Sequence, residues 1–178
     1  MRKDLIWLSV PALAAAALPA HAVQYFTLEQ AQHALFPEAS GFKEAKVLLT
    51  ADQREAIEKA SKVRVRGVEL NAWRVEAGGK VTGWFLVDEV YGKHEFITYA
   101  VALDATGAVR GIEIMDYRET HGGEVRNANW RAQFTGKRAD APLVLDQDIK
   151  NISGATLSCK HIADGVRRLL ASYEAALK

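Results

Sequence analysis

Phe96-Ile97-Thr98-Tyr99-Ala100-Val101-Ala102-Leu103 is followed by Asp104-Ala105-Thr106-Gly107 and, after Ala108, by Val109-Arg110-Gly111-Ile112-Glu113-Ile114-Met115-Asp116-Tyr117. Both flanks are rich in β-branched and aromatic residues, and the second alternates apolar with polar side chains. The period is two, so each flank predicts a strand with one buried face. Between them stand an Asp and a Gly, residues that accept tight-turn geometry, so the two strands form an antiparallel hairpin. Working back from this hairpin, Gly92-Lys93 reads as a turn and Lys80–Tyr91 as a longer strand interrupted at Gly83. Gly78-Gly79 reads as another hairpin turn, Glu69–Glu76 as a strand and Val63–Arg66 as a short one. Adjacent strands with tight turns imply an antiparallel meander. Trp73, Trp84, Phe85, Tyr91, Phe96 and Tyr99 are spread over it, where aromatic side chains are normally core.

Helices flank the meander, so the expected class is α+β. Thr27-Leu28-Glu29-Gln30 is a capping box that opens a helix reaching about Phe36, ended by Pro37. Thr50-Ala51-Asp52-Gln53 repeats the signal and opens a second helix to about Ser61, with Ile57 and Ala60 facing inward. Both are expected to pack on the sheet. From Leu157 onward, apolar residues recur at Ile162, Val166, Leu169, Leu170, Tyr173 and Leu177, the period of an amphipathic helix. Neither a repeat nor a low-complexity tract is present. Residues 23–178 are expected to form a single domain, with a helical part (23–62) and a part carrying the sheet and the site (63–178).

Arg2 and Lys3, an apolar run from Leu5 to Leu18, and Ala20-His21-Ala22 have the order of a secretory signal peptide over residues 1–22. Cleavage near Ala22 would leave an exported, periplasmic protein starting at Val23. The whole chain has 23 basic and 22 acidic residues. Losing Arg2, Lys3 and Asp4 with the leader leaves no formal net charge. So even a balance gives no support for nucleic-acid binding. Cys159 is the only cysteine, so no internal disulfide forms.

Two stretches bear chemistry. In Ile149-Lys150-Asn151-Ile152-Ser153-Gly154-Ala155-Thr156-Leu157-Ser158 the last helix begins within a residue or two of Thr156. A helix start presents unpaired N–H groups and the positive end of the macrodipole, which attract a phosphate. Alternatively, Ser153 and Thr156 are only caps. Cys159, in the first helical turn, is either redox-active or a small packed side chain. The second stretch, Tyr117-Arg118-Glu119-Thr120-His121-Gly122-Gly123-Glu124-Val125, leaves a strand end as an exposed loop, where sites concentrate. His94, His121, Glu95, Glu119 and Glu124 lack paired metal-ligand spacing, and no metal site is expected. A hydrolytic set of Ser153, His121 and Asp148 lacks the nucleophile elbow.

Ser153-Gly154-Ala155-Thr156 resembles the flavinylation motif of the FMN-binding domain family, D-x-x-[ST]-G-A-T. Covalently flavinylated subunits of the Rnf complex and of the sodium-pumping NADH:quinone oxidoreductase belong to that family. Lys150 stands where the family has Asp. Glu119-Thr120-His121-Gly122 resembles the start of its E-T-P-G-L-G segment, with His121 for Pro, and Trp130…Phe134-x-Gly136-Lys137 resembles a further W…F-x-G-K stretch. The resemblance covers roughly 93–170. It implies FMN attached through its phosphate to Thr156. Ser153, Gly154, Ala155, Glu119, Thr120, His121 and Gly122 would lie around it. It implies a flavin transferase for maturation, a membrane-bound or soluble redox partner, and extracytoplasmic electron transfer rather than a reaction with the protein's own substrate. Two alternatives stay open at this point. One is a flavin-dependent reductase of a small molecule with His121 as proton donor. The other is a cofactor-free binding module, for which Lys150 speaks.

Overall fold

A computed structural model describes residues 23–178; the expected signal peptide lies outside the described residues. Six antiparallel strands form one sheet in the order β1-β6-β5-β4-β3-β2. They are β1 (Val23–Gln24), β2 (Gly41–Leu48), β3 (Glu69–Ala77), β4 (Lys80–Tyr91), β5 (Phe96–Asp104) and β6 (Val109–Tyr117). Helices α1 (Leu28–Leu35), α2 (Ala51–Ser61), α3 (Ala128–Arg131) and α4 (Thr156–Ala176) complete the α+β fold.

The hairpin that decides the fold is closed by one carboxylate. Oδ1 of Asp104 accepts from the backbone N–H groups of Thr106 and Ala108 and from the Thr106 hydroxyl, at 2.8, 3.0 and 2.6 Å. Strand β5 is central, so both its faces are covered. Ile97, Tyr99, Val101 and Leu103 join the larger core with α4, while Ala100 and Ala102 face a second cluster around Phe36, Phe85 and Met115. Alanine on that second face leaves room for the neighbouring aromatic rings. Of the aromatic residues expected in the core, Trp84, Phe85 and Tyr99 are buried and Trp73 is half-buried, but Tyr91 and Phe96 are 45% and 51% exposed. Strand β4 is continuous. It accommodates the irregularity near Gly83 as a register shift opposite Val75 and Glu76.

Both capping boxes are present, at Thr27/Gln30 and Thr50/Gln53. Helix α1 packs on β6, but α2 lies on α4 rather than on the sheet. Within α2, Ile57 and Ser61 are buried and Ala60 is exposed, contrary to the expected inward face. Residue 61 lies one turn from 57, and its hydroxyl donates to the Ile57 carbonyl at 2.6 Å, which satisfies its buried polar atom.

Val63–Arg66 is not a strand. Its N–H groups go to side chains: Val63 to the Ser61 hydroxyl at 3.2 Å, and Val65 to the Glu58 carboxylate at 2.8 Å. The place beside β3 is taken by β2, in the part expected to be helical. As an edge strand, Gly41–Leu48 buries little. Its charged Lys43, Glu44 and Lys46 hide the alternation that marked the other strands.

Helix α4 crosses the sheet face with Ile162, Val166, Leu169, Leu170 and Tyr173 buried. Leu157, counted in that stripe from the sequence, is 44% exposed. A Cβ at Gly165 would meet the Tyr99 hydroxyl at 2.2 Å, so glycine lets the helix approach β5. That hydroxyl donates to Asp88 at 3.0 Å, and Arg168 donates to the same carboxylate oxygen at 2.5 Å. The middle of α4 is thereby fixed against β5 and β4.

Candidate functional site

The two stretches singled out in the sequence meet. Residues 119–124 and Ser153-Gly154, with Tyr25, Tyr117, Arg126 and Asn127, line an open cleft of about 790 Å³. The contact between them is direct. Gly122 has φ +88°, and a Cβ there would sit 2.6 Å from the Tyr117 hydroxyl and 2.9 Å from the Ala155 Cβ. Only glycine adopts this conformation freely and also leaves this space. Ala155 is buried, and Ser153, Gly154 and Thr156 are exposed.

Tyr117, which the sequence reading passed over, fastens the junction. Its hydroxyl donates to the His121 carbonyl at 2.6 Å and lies 3.2 Å from the Ser158 hydroxyl. With the tyrosine proton given to His121, Ser158 is the donor in the second bond. Burial raises the pKa of this phenol, so it remains a donor at neutral pH. The end of β6, the loop and the first turn of α4 thus share one hydroxyl. The sequence signal was the tyrosine's place as the last residue of the strand, directly before the loop. Tyr25 and Arg126 carried no signal. The Arg126 guanidinium stacks 4.0 Å over the Tyr25 ring, a contact between residues far apart in the chain.

Glu119 lines the cleft, but its carboxylate is engaged on the other side. One oxygen accepts from the backbone N–H groups of Lys93, His94 and Glu95, the last two at 2.6 and 3.1 Å. Partial burial alone would raise its pKa. The three donors outweigh burial and hold the carboxyl below the ordinary glutamate range. Glu119 therefore anchors the loop to the turn between β4 and β5. Glu119→Gln keeps an accepting oxygen and loses its charge, so it should cost about 1 kcal/mol of local stability, the difference between hydrogen bonds to a charged and to a neutral acceptor. Because the folded-state pKa is depressed, the wild-type advantage is complete above the unfolded value of about 4.3. It disappears as pH falls through the lower, folded value. Hydrogen exchange at residues 118–122 of both proteins, at neutral and acid pH, checks this.

The helix start is uncapped. Ala155 is the residue before α4 and makes no side-chain cap, and Thr156 is the first helical residue. The first backbone bond of the helix is Cys159 N–H to the Ala155 carbonyl, at 2.9 Å. Among the described residues nothing accepts from the N–H groups of Thr156, Leu157 and Ser158. Gly154, at φ +84°, has open space where a Cβ would be. The Thr156 hydroxyl accepts from the Asn151 amide at 3.1 Å. Cys159 is buried, and burial raises its thiol pKa above the ordinary value despite backbone hydrogen bonds. It is a packed side chain, not an activated thiol.

The W…F-x-G-K stretch acts from behind the loop. The Trp130 indole donates to the Lys150 carbonyl at 2.8 Å, and the Lys150 N–H donates to Gln133 at 2.7 Å. Lys137 pairs with Asp148 at 3.0 Å, and Asp148 also accepts from the N–H groups of Leu143 and Val144. Asp148 is thus committed to loop architecture, which removes it from the hydrolytic set with Ser153 and His121. Lys150 is held by its backbone while its side chain is exposed, so lysine in place of aspartate leaves the turn intact.

Residues 92–171 match the FMN-binding domain family. The chain carries an FMN-binding domain. The match runs from the β4–β5 turn into α4, close to the span of 93–170 read from the motifs, and makes the protein a flavoprotein. Among solved structures, NqrC of Shewanella oneidensis has the same fold, with a TM-score of 0.53 at 15% identity, covering 80% of this chain and 84% of that one. No curated protein matches the sequence. The residues of the cleft suit the cofactor. FMN brings a dianionic phosphate, for which the uncapped N–H groups and the open approach at Gly154 provide a seat. The adjoining cleft has two tyrosines and a loop of backbone donors for the remainder.

Proposed function

We propose that the protein is an exported electron carrier holding FMN through a phosphoester to Thr156. The observation that carries this reading is the Thr156 hydroxyl itself. It is exposed, caps nothing, and opens a helix whose first N–H groups have no acceptor among the described residues. A hydroxyl there is open to a second protein that installs the cofactor, and the free N–H groups receive the phosphate once it is joined. Bound FMN supplies the redox chemistry. The chain's own residues hold the phosphate end, close the loop 119–124 beside it through Tyr117 and Gly122, and leave the cleft open to a partner. An open cleft suits exchange of electrons between proteins better than enclosure of a small substrate. Permanent attachment also fits a periplasmic location, where a dissociated cofactor is diluted away.

The test is expression of the full chain together with a flavin transferase, followed by isolation from the periplasm. The expected product starts at Val23, is yellow, bleaches on reduction and recovers its colour when a soluble acceptor is added. Colourless periplasmic protein, made with a transferase that labels another target in the same cells, would overturn the reading.

A further inference from the structure

We propose that Asn151 is the positioning residue for the Thr156 hydroxyl during flavin attachment; the inference rests on the reading of Thr156 as the attachment point. Asn151 Nδ2 donates to Thr156 Oγ1 at 3.1 Å across the turn that precedes α4. The turn is closed by the Ala155 N–H bonding to the Ile152 carbonyl at 3.0 Å. Its entry is clamped at Lys150 from both sides, by the Trp130 indole and the Gln133 amide. Asn151 is therefore presented to Thr156 from a backbone with little freedom.

Two features separate this bond from an ordinary surface contact. First, Asn151 Oδ1 is buried and has no hydrogen-bond partner, one of three such side-chain atoms among the described residues. A buried acceptor without a donor is a standing cost, and such a group calls for a compensating role. Here the other end of the same amide reaches the one hydroxyl that is to react. Second, Thr156 makes no cap, so its hydroxyl has no competing duty in the fold.

The chemistry needs such a donor. Attachment forms a bond from Thr156 Oγ1 to the phosphorus of FMN. The FMN must arrive activated as a mixed phosphoric anhydride, the bridging P–O bond breaks, and the second phosphate group leaves with the electron pair. The hydroxyl proton passes to a base of the transferase, and nothing is oxidised or reduced. An amide N–H directed at Oγ1 fixes the threonine rotamer and stabilises the oxygen as it loses its proton. It also leaves the O–H proton free to face that base. Asn151 is not one of the fixed positions of the flavinylation motif, and in this chain it follows Lys150, where the motif's carboxylate is missing.

The experiment measures the rate of FMN transfer onto the apo protein by a flavin transferase, for wild type, Asn151→Ala, Asn151→Asp and Thr156→Ala. Asp has the shape of Asn but when ionised only accepts, so it removes the donor to Oγ1 and takes the Thr156 hydroxyl proton in a bond of the opposite direction. The inference expects the apparent kcat to fall about ten- to a hundredfold in both Asn151 variants. KM for the carrier protein should be little changed, and the thermal melt of Asn151→Ala should be near wild type, because truncation also removes the unpartnered buried oxygen. A purely structural role would raise KM or lower the melt instead, and that result overturns the inference. So does transfer to Asn151→Asp at the wild-type rate. Should Asn151→Ala fail to fold, Asn151→Asp decides alone. Absence of labelling in wild type, or labelling that survives Thr156→Ala, would sink the attachment reading. Labelling lost in Thr156→Ala but unimpaired in Asn151→Asp would sink only the role of Asn151.

Discussion

Thr156→Ala should abolish retention of flavin through denaturation while leaving the fold unchanged. The side chain is exposed, and its one hydrogen bond is to Asn151. Its removal therefore costs within about 0.5 kcal/mol, as for other surface positions. Its oxygen, in contrast, is the only one at residue 156 that can carry the ester. The expected outcome is a wild-type melting curve and a colourless band on a denaturing gel, with at most weak, reversible binding of free FMN at the uncapped helix start. Thr156→Ser retains the oxygen and is expected to be labelled in part. Measuring melt and in-gel flavin fluorescence on the same preparations separates a loss of cofactor from a loss of structure. A variant that keeps its fluorescence would place the ester elsewhere.

The largest structural effect is expected from Gly122→Val. From the sequence, this change is expected to alter the flavin environment and leave the fold intact. The structure makes it more severe. A β-branched residue at φ +88° is strained, and its Cβ would collide with both the Tyr117 hydroxyl and Ala155. Relief requires the loop to leave the helix start, which breaks the bond from Tyr117 to the His121 carbonyl and disturbs that to Ser158. The expected cost is about 3 kcal/mol or more, from backbone strain and overpacking together. It should appear as loss of hydrogen-exchange protection at residues 118–126 and as a large fall in flavin incorporation. Unchanged protection in a fully labelled variant would show that the loop is not held as described.

The hairpin Phe96–Tyr117 was legible because its alternation and its Asp104–Gly107 turn are local signals. The same holds for the two capping boxes and the apolar stripe of α4. The edge strand β2 was not legible, because it is only half-buried at Phe42, Ala45 and Val47, so strict alternation is not imposed on it, and its lysines mimic a surface loop. Val63 and Val65 misled in the opposite sense. They have strand composition, but their N–H groups are taken by Ser61 and Glu58 before a ladder can form. At the site, the motif segments were visible one by one, whereas their meeting was not. Nothing local in the sequence says that Gly122 touches Ala155, or that Tyr117 joins His121 to Ser158. Glu119 shows the limit of reading a role from a residue type, for its charge serves the neighbouring turn at Lys93–Glu95.

The linkage can be read directly from the peptide that bears it. Trypsin should release Asn151–Lys160, which contains Thr156 together with Ser153 and Ser158, from protein matured with an active transferase and then unfolded. The account predicts that this peptide carries the mass of FMN less one water, with fragmentation assigning the addition to Thr156. An unmodified peptide with the flavin recovered free in the supernatant, or an addition on Ser153 or Ser158, would contradict it.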